Sequence, residues 1–179
     1  MSRLTGKDPD TANINEQGVN SSGQALTFSV GITEFEDASK SAKAFNWSSG
    51  IIDIDAGDTV LLVKNTSSEP LKIESVTIWN GSIASEYRVH LPTTEVETPT
   101  GTAVVGTNLK VGDSAAADAI AKSDETTNTE GSVVFTPMMG VDSNLTINTV
   151  GLHLSQNKSV AINVIEDTSE SGVSIRGHY

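Results

Sequence analysis

From residue 25 onward, apolar positions in this chain recur at every second residue. Leu26, Phe28 and Val30 alternate with Thr27 and Ser29. Phe45 and Trp47 repeat the pattern, and Tyr87, Val89 and Leu91 alternate with Glu86, Arg88 and His90. Neighbouring side chains of a β-strand point to opposite faces, so this rhythm predicts strands with one buried and one solvated face. Residues 60–63, Val-Leu-Leu-Val, are apolar throughout and predict a central strand covered on both sides. Two strands change phase. Leu71 and Ile73 share one face while Val76 and Ile78 share the other, so a bulge near Ser75 is needed to keep a single buried face. The run 145–154 changes phase in the same way near Thr149. Further strands are expected at 133–135, 160–165 and 173–179.

Turn chemistry separates these runs. Asp55-Ala56-Gly57-Asp58 and the polar stretch 65–70, ending in Pro70, both read as chain reversals. At least eight strands with turns between them predict an all-β fold, an antiparallel β-sandwich of jelly-roll-like form, occupying residues 24–179 as one domain. Residues 1–23 are polar and without periodicity, and are expected to be an extended N-terminal arm held by its own domain or a neighbouring subunit. Residues 92–131 form a long connector or insertion within the sandwich. Inside it, Ala115 to Lys122 has the propensity for one or two helical turns, which isolated helices of that length do not sustain without tertiary support.

Composition narrows the function. With 23 acidic and 11 basic residues the formal net charge is -12, and no basic cluster of even three residues occurs. Binding nucleic acid requires cations to neutralise phosphates, so nucleic acid is not an expected partner, and an anionic membrane is disfavoured on the same ground. No apolar run approaches the ~20 residues needed to span a bilayer. The N-terminus lacks the apolar core of a secretory signal, and a cytoplasmic site of synthesis and assembly is expected. There is no cysteine, which removes disulfides, thiolate catalysis and most structural zinc sites. Six Asn-x-Ser/Thr triplets, at Asn20, Asn46, Asn65, Asn80, Asn144 and Asn157, follow from the richness in these residues.

Candidate chemistry is sparse. The segment 53–58 has calcium-loop character in its acids, but the twelfth position from Asp53 is Lys64, and a strand end followed by a turn explains it better. A surface cation held by Asp55 and Asp58 is the alternative. His90, His153 and His178 are far apart in sequence, with no partner at metal-ligand spacing, and His90 is expected to be solvated beside Glu86 and Arg88. Nucleophile elbow, P-loop and dinucleotide glycine motifs are absent from the sequence. The chain is therefore read as no enzyme, with no catalytic, metal or cofactor-binding residues. Trp79 falls outside the Val76/Ile78 face, immediately before Asn80-Gly81, and is the candidate binding residue. Arg3 and Lys7, cations of the N-terminal arm, are candidate contact residues beside it.

The stretch from Gly101-Thr102-Ala103-Val104 through Asn108-Leu109-Lys110 to Ala115-Ala116-Ala117-Asp118-Ala119 resembles segments of virion structural proteins of tailed bacteriophages. Residues 58–66, the run Pro70-Leu71-Lys72-Ile73 and a closing strand at 173–179 are similar to them as well. Lys110 departs from the pattern, where the turn residue is more often Asn or Ser. The resemblance implies a capsid decoration (cement) protein that binds the outer surface of the virion's capsid and stabilises the shell. Its implied partners are the major capsid protein and further copies of itself, as a dimer or trimer. It also implies that the Ala-rich segment is extended rather than helical. The alternative is a tail- or fibre-associated receptor- or glycan-binding domain that uses Trp79.

Overall fold

The computed structural model describes residues 4–7, 14–19, 25–30, 33–92, 99–126, 131–166 and 168–179, with only the backbone described before residue 33. The chain divides into two compact units, Met1–Asp37 and Ala38–Tyr179. In the first, β1 (Leu4–Lys7), β2 (Ile14–Val19) and β3 (Ala25–Val30) form a three-stranded antiparallel sheet in chain order. The period-two strand at 25–30 is present, but it pairs with β2, Phe28 standing opposite Glu16, and belongs to neither sheet of the sandwich. A short helix, α1 (Glu34–Lys40), follows. Its start is a reciprocal cap: the Glu36 amide donates to Thr33 Oγ1 at 3.2 Å and the Thr33 amide donates to Glu36 Oε2 at 3.0 Å. Thr33-x-x-Glu36 is the sequence sign of such a cap, and acids in the first turn with Lys40 in the last complement the helix dipole.

The second unit is a sandwich of two antiparallel sheets. Its strands are β4 (Ala44–Ile54), β5 (Thr59–Asn65), β6 (Leu71–Asn80), β7 (Ser85–Leu91), β8 (Thr102–Val104), β9 (Thr107–Asn108), β10 (Ala119–Glu125), β11 (Ser132–Phe135), β12 (Met138–Met139), β13 (Ser143–Leu154), β14 (Ser159–Val164) and β15 (Thr168–His178). One sheet runs β11-β7-β14-β5-β10-β8, with β12 also on β7, and the other runs β13-β6-β15-β4-β9. Without β8 to β10 the sheets reduce to β11-β7-β14-β5 facing β13-β6-β15-β4. The chain crosses between sheets at each step except from β7 to β11, which is jelly-roll topology.

The 92–131 segment is an insertion that adds β10 and β8 beyond β5 and adds β9 beyond β4. It thereby closes one flank of the sandwich. The crossing from β8 to β9 passes over Trp47: a Cβ at Gly106 would lie 2.5 Å from Trp47 Nε1, so only glycine fits there. The Ala-rich part is irregular at residues 114–117 and enters β10 at Ala119, which pairs along β5. The helical propensity of Ala115–Lys122 is overridden because β10 gains a ladder of sheet hydrogen bonds that a lone two-turn helix cannot match.

The core holds Phe45, Trp47, Leu61, Val63, Val76, Ile78, Tyr87, Val89, Ile162 and Ile175 between the sheets. Every residue of β5 and of β14 is buried, as the fully apolar run 60–63 predicts. Both expected phase changes occur, and they meet. Ser75 pairs with Arg176 while Ile73 pairs with Gly177, which leaves Glu74 as the extra residue in β6. The register of β13 on β6 breaks between Asn148 and Leu152, and there Thr149 turns inward and donates its hydroxyl to the Ile73 carbonyl at 2.6 Å.

Candidate interaction surfaces

The solvent-facing side of the second sheet is a carpet of short neutral polar side chains in register. One row runs Thr146, Thr77, Ser174, Ser48, and the next runs Asn148, Ser75, Arg176, Asn46. Hydrogen bonds tie the rows across strands: Thr77 Oγ1 lies 3.0 Å from Thr146 Oγ1, and Ser174 Oγ donates to Asn46 Oδ1 at 2.8 Å. A shallow cavity of about 180 Å³ opens between them, with Arg176 on its wall. Trp79 stands on this same face, opposite Asn144 and Gly172. It is half-buried in β6 rather than displayed on a loop, and the missing side chain of Gly81 leaves room for its ring and for Glu170. Of the arm cations, Lys7 ends β1 opposite Ile14 with no side-chain placement, and Arg3 lies outside the described residues.

His90 is a correction. Alternation places it on the polar face of β7, yet it is fully buried, so this part of the outer face is covered. Its Nδ1 accepts from the Gly131 amide at 3.3 Å, which leaves the proton on Nε2, 2.9 Å from Asn163 Oδ1. Thr59 donates to the same Asn163 oxygen at 2.7 Å, and Asn163 Nδ2 reaches the Gly57 carbonyl at 3.3 Å. Both imidazole nitrogens are thus engaged within the fold. His178 is also buried, with Nδ1 3.1 Å from Glu74 Oε1. Nothing brings the three histidines together.

Asp55 and Asp58 bracket a tight turn in which the Asp58 amide donates to the Asp55 carbonyl at 3.1 Å. Partial burial, then the charges of Asp55 and Asp124, push the Asp58 carboxyl above the usual carboxylate range. Among the described residues no group of three or more His, Asp or Glu is placed to hold a metal ion. At the end of the sandwich where β4 starts, a cavity of about 360 Å³ is lined by Lys43, Phe45, Glu69, Asp118 and Tyr179. The Tyr179 hydroxyl is buried there without a hydrogen-bond partner, and burial together with Asp118 pushes its pKa upward. A lone tyrosine at a chain end carries no sequence signal that would have singled it out.

The two flanks of the sandwich differ. The insertion closes one of them, and Asn108 anchors it: its side chain donates to the Ala42 carbonyl at 2.9 Å and to the Ala115 carbonyl at 3.2 Å, and accepts from the Lys110 amide at 2.9 Å. The other flank ends in β11 and β12 on one sheet and β13 on the other. Between Gly131 and Asn157 the only charged residue is Asp142, in a chain that is 19% charged. This run was legible in the sequence as a charge gap, but its role depends on which strands lie at an edge. Comparison with family models, with curated proteins and with solved structures gave no match.

Proposed function

We propose that this chain is a virion structural protein, a decoration protein that binds the outer surface of an assembled capsid and stabilises the shell. The observation that carries this reading is the conformation of the insertion. The stretch 101–119 bears the resemblance to phage virion proteins, which implies an extended Ala-rich segment, whereas propensity alone favours helix. Residues 114–117 are not helical, and Ala119–Lys122 lie in β10. The acidic balance suits docking on a basic protein face, and the major capsid protein is the proposed partner. A ligand that binds only the assembled shell stabilises it by mass action.

The test is reconstitution. Purified chain is added to capsids that lack it, bound copies are counted after sedimentation, and the capsids are heated. Saturable binding at a fixed number of copies per capsid, with a higher temperature of disruption, is expected. Capsids that sediment bare, or that bind the chain and lose no heat sensitivity, overturn the reading.

A second reading is favoured by Trp79: an aromatic ring half-exposed on a flat sheet face of Asn, Ser and Thr suits a glycan. Binding on a glycan array that is lost in Trp79→Ala, together with no capsid binding, would establish it in place of the first.

A further inference from the structure

We infer that the β11–β13 flank is an interface with a second copy of this chain, built by antiparallel pairing of the two β13 edges about a two-fold axis. Among the described residues β13 pairs only with β6, and β11 and β12 only with β7. An unpaired strand presents a row of free amides and carbonyls, and monomeric proteins guard such rows with charges, proline or bulges. Here the guards are partial. Pro137 separates β11 from β12, and the register of β13 breaks after Asn148. The stretch Ser143 to Asn148 has neither device and no charge.

The flank is also apolar. Met138 is 69% exposed, Val141 54%, Val133 44%, Val134 39% and Leu145 37%. The two-residue β12 contacts the long β13 of the other sheet, so the edges that carry these residues adjoin. A cluster of this kind on a soluble surface marks an interaction site.

Charge selects the occupant. A basic partner gains nothing from a flank with so little charge. Two copies of a chain carrying -12 repel each other, and the stretch 131–157, with Asp142 as its one charged residue, is where they approach at least cost. A strand edge is self-complementary under two-fold rotation, as a closed dimer requires. One register satisfies both faces. With the axis at Thr146, Leu145 stands opposite the partner's Ile147 on the core side, and Asn144 stands opposite the partner's Asn148 on the polar side. The second sheet then runs unbroken through both copies. This pairing does not depend on what the dimer decorates.

The experiment is sedimentation equilibrium of the full chain across a wide range of concentration, with Thr146→Asp and Val105→Asp as variants. The wild type is expected to have dimer mass. Thr146→Asp sets like charges against each other at the axis and is expected to weaken the dimer by more than about tenfold. Val105→Asp, on the closed flank, is expected to leave it intact. A wild type that is monomeric throughout overturns the inference, and so does a trimer or a dimer indifferent to Thr146→Asp. Should Thr146→Asp fail to fold, amide exchange of the wild type decides: the amides of residues 143–148 are protected more at high than at low concentration if the edge is paired, and equally if it is not.

Discussion

The Tyr87 hydroxyl donates to Asn80 Oδ1 at 3.0 Å, a buried bond that joins β7 of one sheet to the end of β6 in the other. Ser171 Oγ lies 2.9 Å from the same hydroxyl, while the Asn80 amide donates to the Ile83 carbonyl at 2.6 Å and the Gly140 carbonyl at 2.9 Å. One asparagine thus holds two loops and a tyrosine, every group of it satisfied. Tyr87→Phe keeps the ring and removes the latch, leaving a buried carbonyl oxygen without its donor. Chemical denaturation should show a loss of about 1–3 kcal/mol with unchanged dependence on denaturant.

Glu125 anchors the insertion from within. Its buried carboxylate accepts from the Gly101 amide at 2.8 Å and from the Thr100 hydroxyl at 3.2 Å. Glu125→Ala should cost about 2–3 kcal/mol. Exchange of the Gly101 amide should accelerate well beyond that of amides in β14. Equal acceleration in both would mean that the carboxylate supports the whole fold rather than the insertion.

Gly106 sets how closely the insertion seals Trp47. Gly106→Ala places a methyl inside the indole's contact distance, and overpacking of this kind costs about 1–3 kcal/mol. Trp47 emission should shift to the red as water reaches the ring. An unchanged spectrum would mean that the crossing gives way without exposing the core.

Three groups make stability depend on pH, two of them tyrosines. Burial raises the pKa of both Tyr87 and Tyr179 above the ordinary tyrosine value of 10.0. The folded chain then keeps protons that the unfolded chain releases, so this contribution is complete below pH 10 and is lost as pH rises through the folded values. Absorbance titration should show no tyrosine ionising at its ordinary pH while the fold persists. Asp58 is raised as well, from 3.8, so its contribution is present in acid and lost as pH rises. Asp58→Asn should therefore raise the melting temperature slightly at neutral pH, with the gain shrinking in salt and vanishing on acidification.

Much of the fold was legible in the sequence because burial in a sandwich imposes period two on every strand. The run 60–63 and the phase changes at Ser75 and Thr149 identified a doubly covered strand and two irregularities. Helix α1 was missed although Thr33 and Glu36 carry its cap, because a seven-residue helix shows little periodicity. His90 was misread since alternation reports which face a residue occupies, not whether that face is covered. The Ala-rich segment was left open, because propensity favoured helix and the resemblance favoured strand; the pairing of β10 with β5 decides it from Ala119 onward. Asn65 and Asn80, both in glycosylation triplets, are fully buried and hydrogen-bonded, so at these two sites composition explains the motif. The flank at β13 could not be recognised from its charge gap alone, because an edge strand is defined by its missing neighbour.

The most direct test of the account is a reconstruction of capsids incubated with the chain. It predicts density of jelly-roll size at symmetry-related positions on the outside of the shell, absent from untreated capsids. A shell with a bare exterior, or density confined to tail or fibre, would contradict it.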